Sequence, residues 1–158
     1  MNDLGRAQAA VAAKVLKTEP IARIIASPLS RTKHTAQAVA AENGLEIVFD
    51  EDLMECHLGD HEGEPYGDWV PEYWAGTYTP PGGETFHQFR ARVWGAMQRA
   101  IALGPNTLIV AHGGLWLAAQ EYVTLAPPMR LTQNALPLAV RQSEGCWAYE
   151  ILGEDAAG

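Results

Sequence analysis

The apolar positions in the first third of the chain change between a helical and a strand-like period. A helical stripe predicts a first helix near the start of the chain, and its members are Leu4, Ala7, Val11 and Val15. Residues 22–27 then form a short apolar run that predicts a buried strand. Ser27 and Pro28 follow as a helix start, with serine as the N-cap and proline at the first helical position. We expect that helix to end near Gly44, and residues 45–49 to form the next strand.

A long irregular segment separates this part of the chain from the next helix. Residues 50–83 mix glycine, proline, charged and aromatic residues without a clear period, apart from a short helical stretch around residues 68–76. A segment of this kind typically forms a functional loop, and we expect it to line a substrate entrance. Thr85 and Gln88 then form a capping box for an amphipathic helix that ends at Leu103, just before a Gly-Pro pair.

The remaining pattern predicts the fold class. Residues 107–111 read as a strand, Leu115–Leu125 as a helix, and residues 136–142 and 146–152 as two closing strands joined by a turn. Alternating helices and strands predict an α/β protein, a three-layer α/β/α sandwich with a mostly parallel sheet. We interpret residues 1–158 as one domain. Its unusual feature is that no strand precedes the first helix.

Composition restricts the class of protein. The chain has 158 residues, of which 47% are hydrophobic and 19% charged, which is enough for one soluble domain with a core. The net charge of −8 argues against nucleic acid or an anionic membrane surface as the main partner. No apolar run approaches the length of a membrane span. Cys56 and Cys146 belong to no paired motif, so we expect free thiols and a cytoplasmic protein.

Two residues at predicted element junctions are suited to binding an anion. His112 ends a buried strand, and Gly113 and Gly114 allow the backbone N–H groups that follow to approach a ligand closely. Arg31 lies in the first turn of a helix, where unpaired N–H groups and a guanidinium can both bind phosphate. A solvated arginine and a histidine bonded to a neighbouring loop would give the same pattern.

The irregular segment holds further candidates. A carboxylic acid at Glu55 is suited to general acid–base catalysis, although most glutamates are only solvated. Metal-capable side chains cluster beside it, two of them histidines with the i, i+4 spacing of a helical metal pair: Cys56, His57, Asp60, His61 and Glu62. Gly59 and Gly63 disfavour a helix there, and the sequence has no HExxH or paired CxxC motif. We therefore favour a site that uses no metal or other cofactor.

Four stretches occur in the order found in the histidine phosphatase superfamily, the phosphoglycerate mutase-like proteins. They are SPLSRTKHTAQAVA, LMECHLGDHEG, PGGETFHQFRARV and LIVAHGGLWLAA, and the N-terminal LGRAQA resembles the first helix of that family. The resemblance covers nearly the whole chain. It implies a three-layer α/β fold and a metal-free phosphoryl transfer in two steps. A nucleophilic histidine takes the phosphoryl group, and water or a second hydroxyl then removes it.

The resemblance also implies a role for each matching residue. Arg31 corresponds to the arginine that clamps phosphate, His112 to the second histidine, which stabilises charge on the phosphoryl group, and Glu55 to the acid–base. Arg31, His112 and Gly113 would then bind the phosphate of a small phosphorylated substrate. A short chain with a compact loop favours a phosphomonoester phosphatase over a mutase. The alternatives are a non-catalytic phosphate-binding module and, third, a metal-dependent hydrolase.

The nucleophile of that family is not found in this sequence. The family carries it in an Arg-His-Gly motif at the end of its first strand, and none of the five histidines here stands in such a triplet. Three explanations are a truncated enzyme, a degenerate homologue that only binds, and replacement by His57 or His61. We favour truncation, because the other motif residues are intact. A missing strand would expose an apolar sheet edge, so we expect poor solubility or homo-oligomers formed through it.

Overall fold

The computed structural model describes residues 1–120, 122, 134–143 and 146–153. Helices and strands alternate along these residues in the predicted order. Their bounds are α1 (Asp3–Leu16), β1 (Arg23–Ala26), α2 (Ser30–Asn43), β2 (Ile47–Phe49), α3 (Val70–Trp74), α4 (Phe86–Ala102), β3 (Thr107–Val110), α5 (Gly113–Ala119), β4 (Leu138–Ser143) and β5 (Cys146–Ile151).

The strands form a parallel sheet and a separate hairpin. The parallel sheet has the order β2-β1-β3, so its carboxyl ends lie at one edge. The strands β4 and β5 pair antiparallel, with Leu138 opposite Ile151, which confirms the two predicted closing strands. The turn predicted between them includes residues 144–145, which lie outside the described residues. In the described part of the chain, β3 is hydrogen-bonded to β1 alone.

Alternate side chains of β1 face two helical layers. Ile25 packs in a cluster with Phe89 of α4 and Leu115 of α5. Ile24 on the opposite face packs in a second cluster with Val39 of α2 and residues of α1. Because successive strand residues point to opposite faces, a buried strand with helices on both sides joins the two clusters. The predicted α/β architecture is therefore confirmed.

The predicted stripe of α1 does not face the core. Leu4 and Val11 are 66% and 62% exposed, whereas the buried residues are Ala9, Ala12, Ala13 and Leu16. This helix packs against α2, and a face built mainly from alanine allows the two helices to approach closely. Leu4 and Val11 are left on the outside, whereas Leu16 is buried.

The predicted start of the second helix was wrong by two residues. The helix α2 begins at Ser30 with Leu29 as its N-cap. Ser27 does not cap it, because its Oγ accepts the Leu29 N–H at 3.4 Å and contacts the ring of His112 at 2.9 Å. Arg31 still lies in the first turn.

Two other helix boundaries lie where the capping residues in the sequence predict them. Gly44 ends α2 in a left-handed conformation with a φ of 64°, and Thr85 and Gln88 form the predicted capping box of α4. The helix α5 begins at Gly113, two residues before the predicted Leu115. Positions 121 and 123–125 of its predicted extent lie outside the described residues.

The irregular segment contains two short 3-10 turns and the small helix α3. The turns are Glu51–Leu53 and Gly59–His61, and α3 confirms the short helix predicted around residues 68–76. His57 and His61 are therefore not on one α-helix, as Gly59 and Gly63 indicate, so the alternative of a helical metal pair is not supported. Within the described residues, no three His, Cys, Asp or Glu side chains are grouped to hold a metal ion. Nor does that part of the chain include a helix long and apolar enough to cross a bilayer.

Candidate active site

His112 lies where β3 gives way to α5, at the carboxyl edge of the sheet. It is the N-cap residue of α5, and its backbone is extended. Arg31 donates a hydrogen bond from Nε to His112 Nδ1 at 3.1 Å, and His112 Nε2 lies 2.9 Å from Ser27 Oγ. Because a guanidinium can only donate, Nδ1 is the acceptor, and the ring proton is on Nε2, which donates to Ser27. The site therefore holds one defined tautomer of His112.

The surroundings of His112 keep its ring neutral. Burial and the positive charges of Arg31 and Arg92 lower the pKa of His112 from its ordinary 6.5 to about 4. At neutral pH the ring is therefore an uncharged hydrogen-bonding group beside a charged guanidinium.

The carboxyl group of Glu55 lies beside the first turn of α5. Its Oε2 accepts the Gly114 N–H at 3.3 Å, and its Oε1 accepts the Cys56 N–H at 3.2 Å. Burial raises the pKa of Glu55, and the two N–H groups, Arg31 and Arg92 oppose that rise. A carboxyl group with a raised pKa is suited to give and take a proton near neutral pH.

A glycine at position 114 is required by this contact. A Cβ there would lie 2.3 Å from Glu55 Oε1 and 2.9 Å from Trp74 Cη2, so only glycine allows the carboxyl group to approach. At Gly113, by contrast, an added Cβ would meet no atom within 4 Å. The packing therefore explains the second glycine, and the role of the Gly113 N–H in binding phosphate stays a prediction.

Sequence reasoning missed three residues of the site. Ser27 was interpreted as a helix cap, and Arg92 and Glu84 were not selected at all. Arg92 hydrogen-bonds the backbone carbonyls around Glu55 and pairs with Glu84. A signal was present in the sequence, because Arg92 lies on the predicted amphipathic helix next to Val93, which is buried in α4. A charged residue beside a buried position has to find a partner.

The predicted metal-capable residues have other contacts. The ring of His61 stacks on Trp69 with 4.6 Å between centroids, and its nitrogens contact Glu64 at 2.8 Å and the Tyr78 hydroxyl at 3.0 Å. Cys56 is buried, and burial raises the pKa of its thiol to about 12, so it stays protonated at neutral pH. These contacts do not join the cluster around His112.

The structure thus brings the three predicted catalytic residues together. Arg31 touches His112 directly, and Glu55 reaches the same junction through the N–H of Gly114. A cation, a neutral imidazole and a carboxyl group with a raised pKa meet at one edge of the sheet. Such a set can bind an anionic group and transfer a proton beside it.

Comparison with known proteins agrees with the four motifs. The family model described as "Histidine phosphatase superfamily (branch 1)" matches residues 1–143. The chain is 36% identical to "Phosphoglycerate mutase-like protein 4" of Arabidopsis thaliana, over 98% of this chain and 74% of that protein. It is 33% identical to "Agropine synthesis reductase" of Rhizobium rhizogenes over 96% of its own length, but it spans only 33% of that protein.

A solved structure supports the same assignment. A mycobacterial glucosyl-3-phosphoglycerate phosphatase in complex with VO3 superposes with a TM-score of 0.74 at 26% identity, and the match covers 95% of this chain and 84% of that one. Motifs, fold and relatives lead to one conclusion: the chain belongs to the histidine phosphatase superfamily.

Proposed function

We propose that this chain forms the phosphate-binding and acid–base part of a phosphomonoester phosphatase that acts on a small phosphorylated substrate through a phosphohistidine. The observation that carries the proposal is the convergence of Arg31, His112 and Glu55 at the carboxyl edge of the sheet. Phosphoryl transfer needs mainly positioning and charge stabilisation from a protein, and these three side chains can supply both.

Each residue has one task in the reaction. Arg31 and His112 hold the phosphoryl oxygens while a histidine nitrogen attacks phosphorus and the ester P–O bond breaks. Glu55 gives its proton to the leaving oxygen. The Glu55 carboxylate then takes a proton from water, and the water oxygen attacks phosphorus and breaks the P–N bond. Phosphate leaves, and the site returns to its starting state.

We infer that the nucleophilic histidine comes from outside residues 1–158. The ring of His61 is held by Trp69, Glu64 and Tyr78, and His112 has both ring nitrogens engaged. His34 is exposed on α2, with its Nδ1 against the backbone carbonyl of its own helix. None of these three rings is free beside the phosphate site, and His87 is exposed on α4. His57 lines the same groove as Glu55, so metal-free activity of this chain alone would contradict the inference and point to His57 as the nucleophile.

A groove along β3 supports that inference. Its volume is about 1600 Å³, and its walls include β3, α1 and the β4–β5 hairpin, with Leu4, Leu138 and Trp147 among the apolar side chains. No described strand pairs with the edge of β3 that faces this groove, and a strand added there would lie about 4.8 Å from β3. A strand parallel to β3 would end beside His112, where the nucleophile is needed.

The test compares this chain with a longer version that includes any in-frame coding sequence upstream of Met1. Both are assayed for hydrolysis of p-nitrophenyl phosphate in the presence of EDTA. Activity in the longer version alone, with an acid-labile phosphoryl-enzyme, supports the proposal. Activity of this chain that EDTA removes would contradict it and favour the metal-capable cluster around His57 and His61.

A non-catalytic phosphate-binding module is the second candidate. It is favoured by one observation: Arg31 and His112 hold each other in place at the carboxyl edge of the sheet. Titration calorimetry with inorganic phosphate separates the two functions. Binding to both versions, with turnover in neither, supports the module and contradicts the phosphatase.

We also propose that the free edge of β3 favours self-association, because exposed apolar residues line the groove beside it. Leu4→Lys should then lower the mass measured by light scattering after size-exclusion chromatography. Val11→Lys is the matched control, since Val11 is exposed on the same helix but does not line the groove. A monomer at high concentration in the unmodified chain would contradict the proposal.

A further inference from the structure

Arg92 of α4 fastens the loop that carries Glu55. Its Nη1 donates to the backbone carbonyls of Asp52 at 2.8 Å and Met54 at 2.9 Å, and its Nη2 reaches the carbonyl of Glu55 at 3.4 Å. The same guanidinium forms a two-point ion pair with Glu84. All three nitrogens of Arg92 are therefore used, and its side chain is only 23% exposed.

Glu84 fastens the same loop on the other side of Glu55. Its Oε1 accepts the backbone N–H of His57 at 2.9 Å, and its own backbone N–H donates to the His57 carbonyl at 2.9 Å. The backbone is thus tied to one ion pair both before and after Glu55. An irregular loop has few hydrogen bonds of its own, so such ties decide its conformation.

The carboxyl group of Glu55 depends on that backbone for its placement. It accepts hydrogen bonds from the N–H groups of Cys56 and Gly114, and both bonds are longer than 3.1 Å. The Cys56 contact lies within the loop, but the Gly114 contact persists only while the loop and α5 keep their separation. A shift of the loop would move the carboxyl group away from Gly114 and from the phosphate site.

We propose that the Arg92–Glu84 pair is a positioning device that holds the Glu55 carboxyl group where it can protonate the leaving oxygen. The proposal rests on the proposed function, because it takes Glu55 to be the acid–base. Arg92 acts through the backbone of the loop and through its charge, and it is not itself a catalytic residue. It belongs to the same site because it also faces the groove that contains Glu55 and His112.

A control on the same helix distinguishes a positioning role of Arg92 from a purely structural one. Arg99 of α4 also makes ion pairs with the start of the loop, at 2.9 Å to Asp50 and 2.7 Å to Asp52. It does not bond the backbone on either side of Glu55. Arg99→Lys and Arg92→Lys both keep the charge, but only Arg92→Lys loses the fork that binds three carbonyls at once.

The first experiment measures how the rate depends on the leaving group in a version of the protein that hydrolyses aryl phosphates. Poor leaving groups need the proton from Glu55, whereas p-nitrophenolate leaves without it. In Arg92→Lys, kcat for β-glycerophosphate should fall about a hundredfold and kcat for p-nitrophenyl phosphate far less. Arg99→Lys should change neither. Equal losses on both substrates in Arg92→Lys would overturn the proposal.

The second experiment needs no activity, so it separates failure of this proposal from failure of the proposed function. In this chain, the Gly114 amide signal in NMR spectra should follow the titration of Glu55 through their hydrogen bond. That dependence should vanish in Arg92→Lys and persist in Arg99→Lys. If Arg92→Lys does not fold, Glu84→Ala serves instead, because it removes both the ion-pair partner of Arg92 and the acceptor of the His57 N–H. An unchanged Gly114 titration in the folded variant would overturn the proposal.

Discussion

Replacing Gly114 with alanine should displace the acid–base by a distance that the structure defines. The added Cβ would lie 2.3 Å from Glu55 Oε1, and the carboxyl group has to retreat by at least 0.7 Å to restore a 3.0 Å separation. Trp74 lies 2.9 Å away on another side and limits where the Cβ can move. Misplacing a catalytic group by about 1 Å costs about a hundredfold in rate. We expect that loss in kcat, with a smaller change in KM because Arg31 and His112 still bind the phosphate.

The assay compares kcat for β-glycerophosphate in an active version of the protein with and without the substitution. Overpacking costs about 1–3 kcal/mol of stability, and alanine returns up to about 1 kcal/mol through helix propensity, so the variant should remain folded. Gly95→Ala is the matched control, because its Cβ would meet nothing closer than the Arg99 side chain at 3.6 Å. A folded Gly114→Ala protein with a nearly wild-type kcat would refute the reasoning.

Two further predictions concern the phosphate site. Arg31→Ala and His112→Ala should each abolish turnover in the same active version, and near-wild-type rates in either would contradict the assigned roles. The pKa of His112 is lowered from 6.5 to about 4, so the unfolded state binds more protons between these values, and stability falls as pH falls through that window. Glu55, with a raised pKa, has the opposite effect. His112→Asn should therefore lose less stability than the unmodified chain between pH 7 and pH 4.5, by on the order of 1–2 kcal/mol after solvent screening. Urea denaturation at both pH values measures this, and an identical loss in both proteins would contradict it.

The features that the sequence predicts well depend on neighbouring residues. The capping box of Thr85 and Gln88 closes within four residues, and Gly44 ends α2 because a left-handed backbone suits glycine. Both signals act before any tertiary contact forms. The order of helices and strands is predictable for the same reason, since it follows from periodicity along the chain.

The errors arise where a distant partner outweighs the local signal. Ser27 has the residue type and spacing of a helix cap. Its hydroxyl group is instead hydrogen-bonded to His112, which lies 85 positions later in the chain. On α1, the stripe that includes Leu4 and Val11 has the right period, yet alanine faces α2 because close helix contact favours small side chains. Arg92 carries no local signal of the backbone carbonyls that it binds, since they lie in a loop about forty positions earlier.

In the site without substrate, Arg31 carries the positive charge and the ring of His112 is neutral. Arg31 donates to Nδ1 through Nε, so its terminal nitrogens remain on the outer side of the guanidinium, where two phosphate oxygens can bind. A phosphate dianion at that position offsets the arginine charges that lower the pKa of His112. Burial is the larger cause of that low pKa, so the ring of His112 would stay a neutral hydrogen-bonding group, and the proposed phosphoryl transfer would draw its positive charge from Arg31.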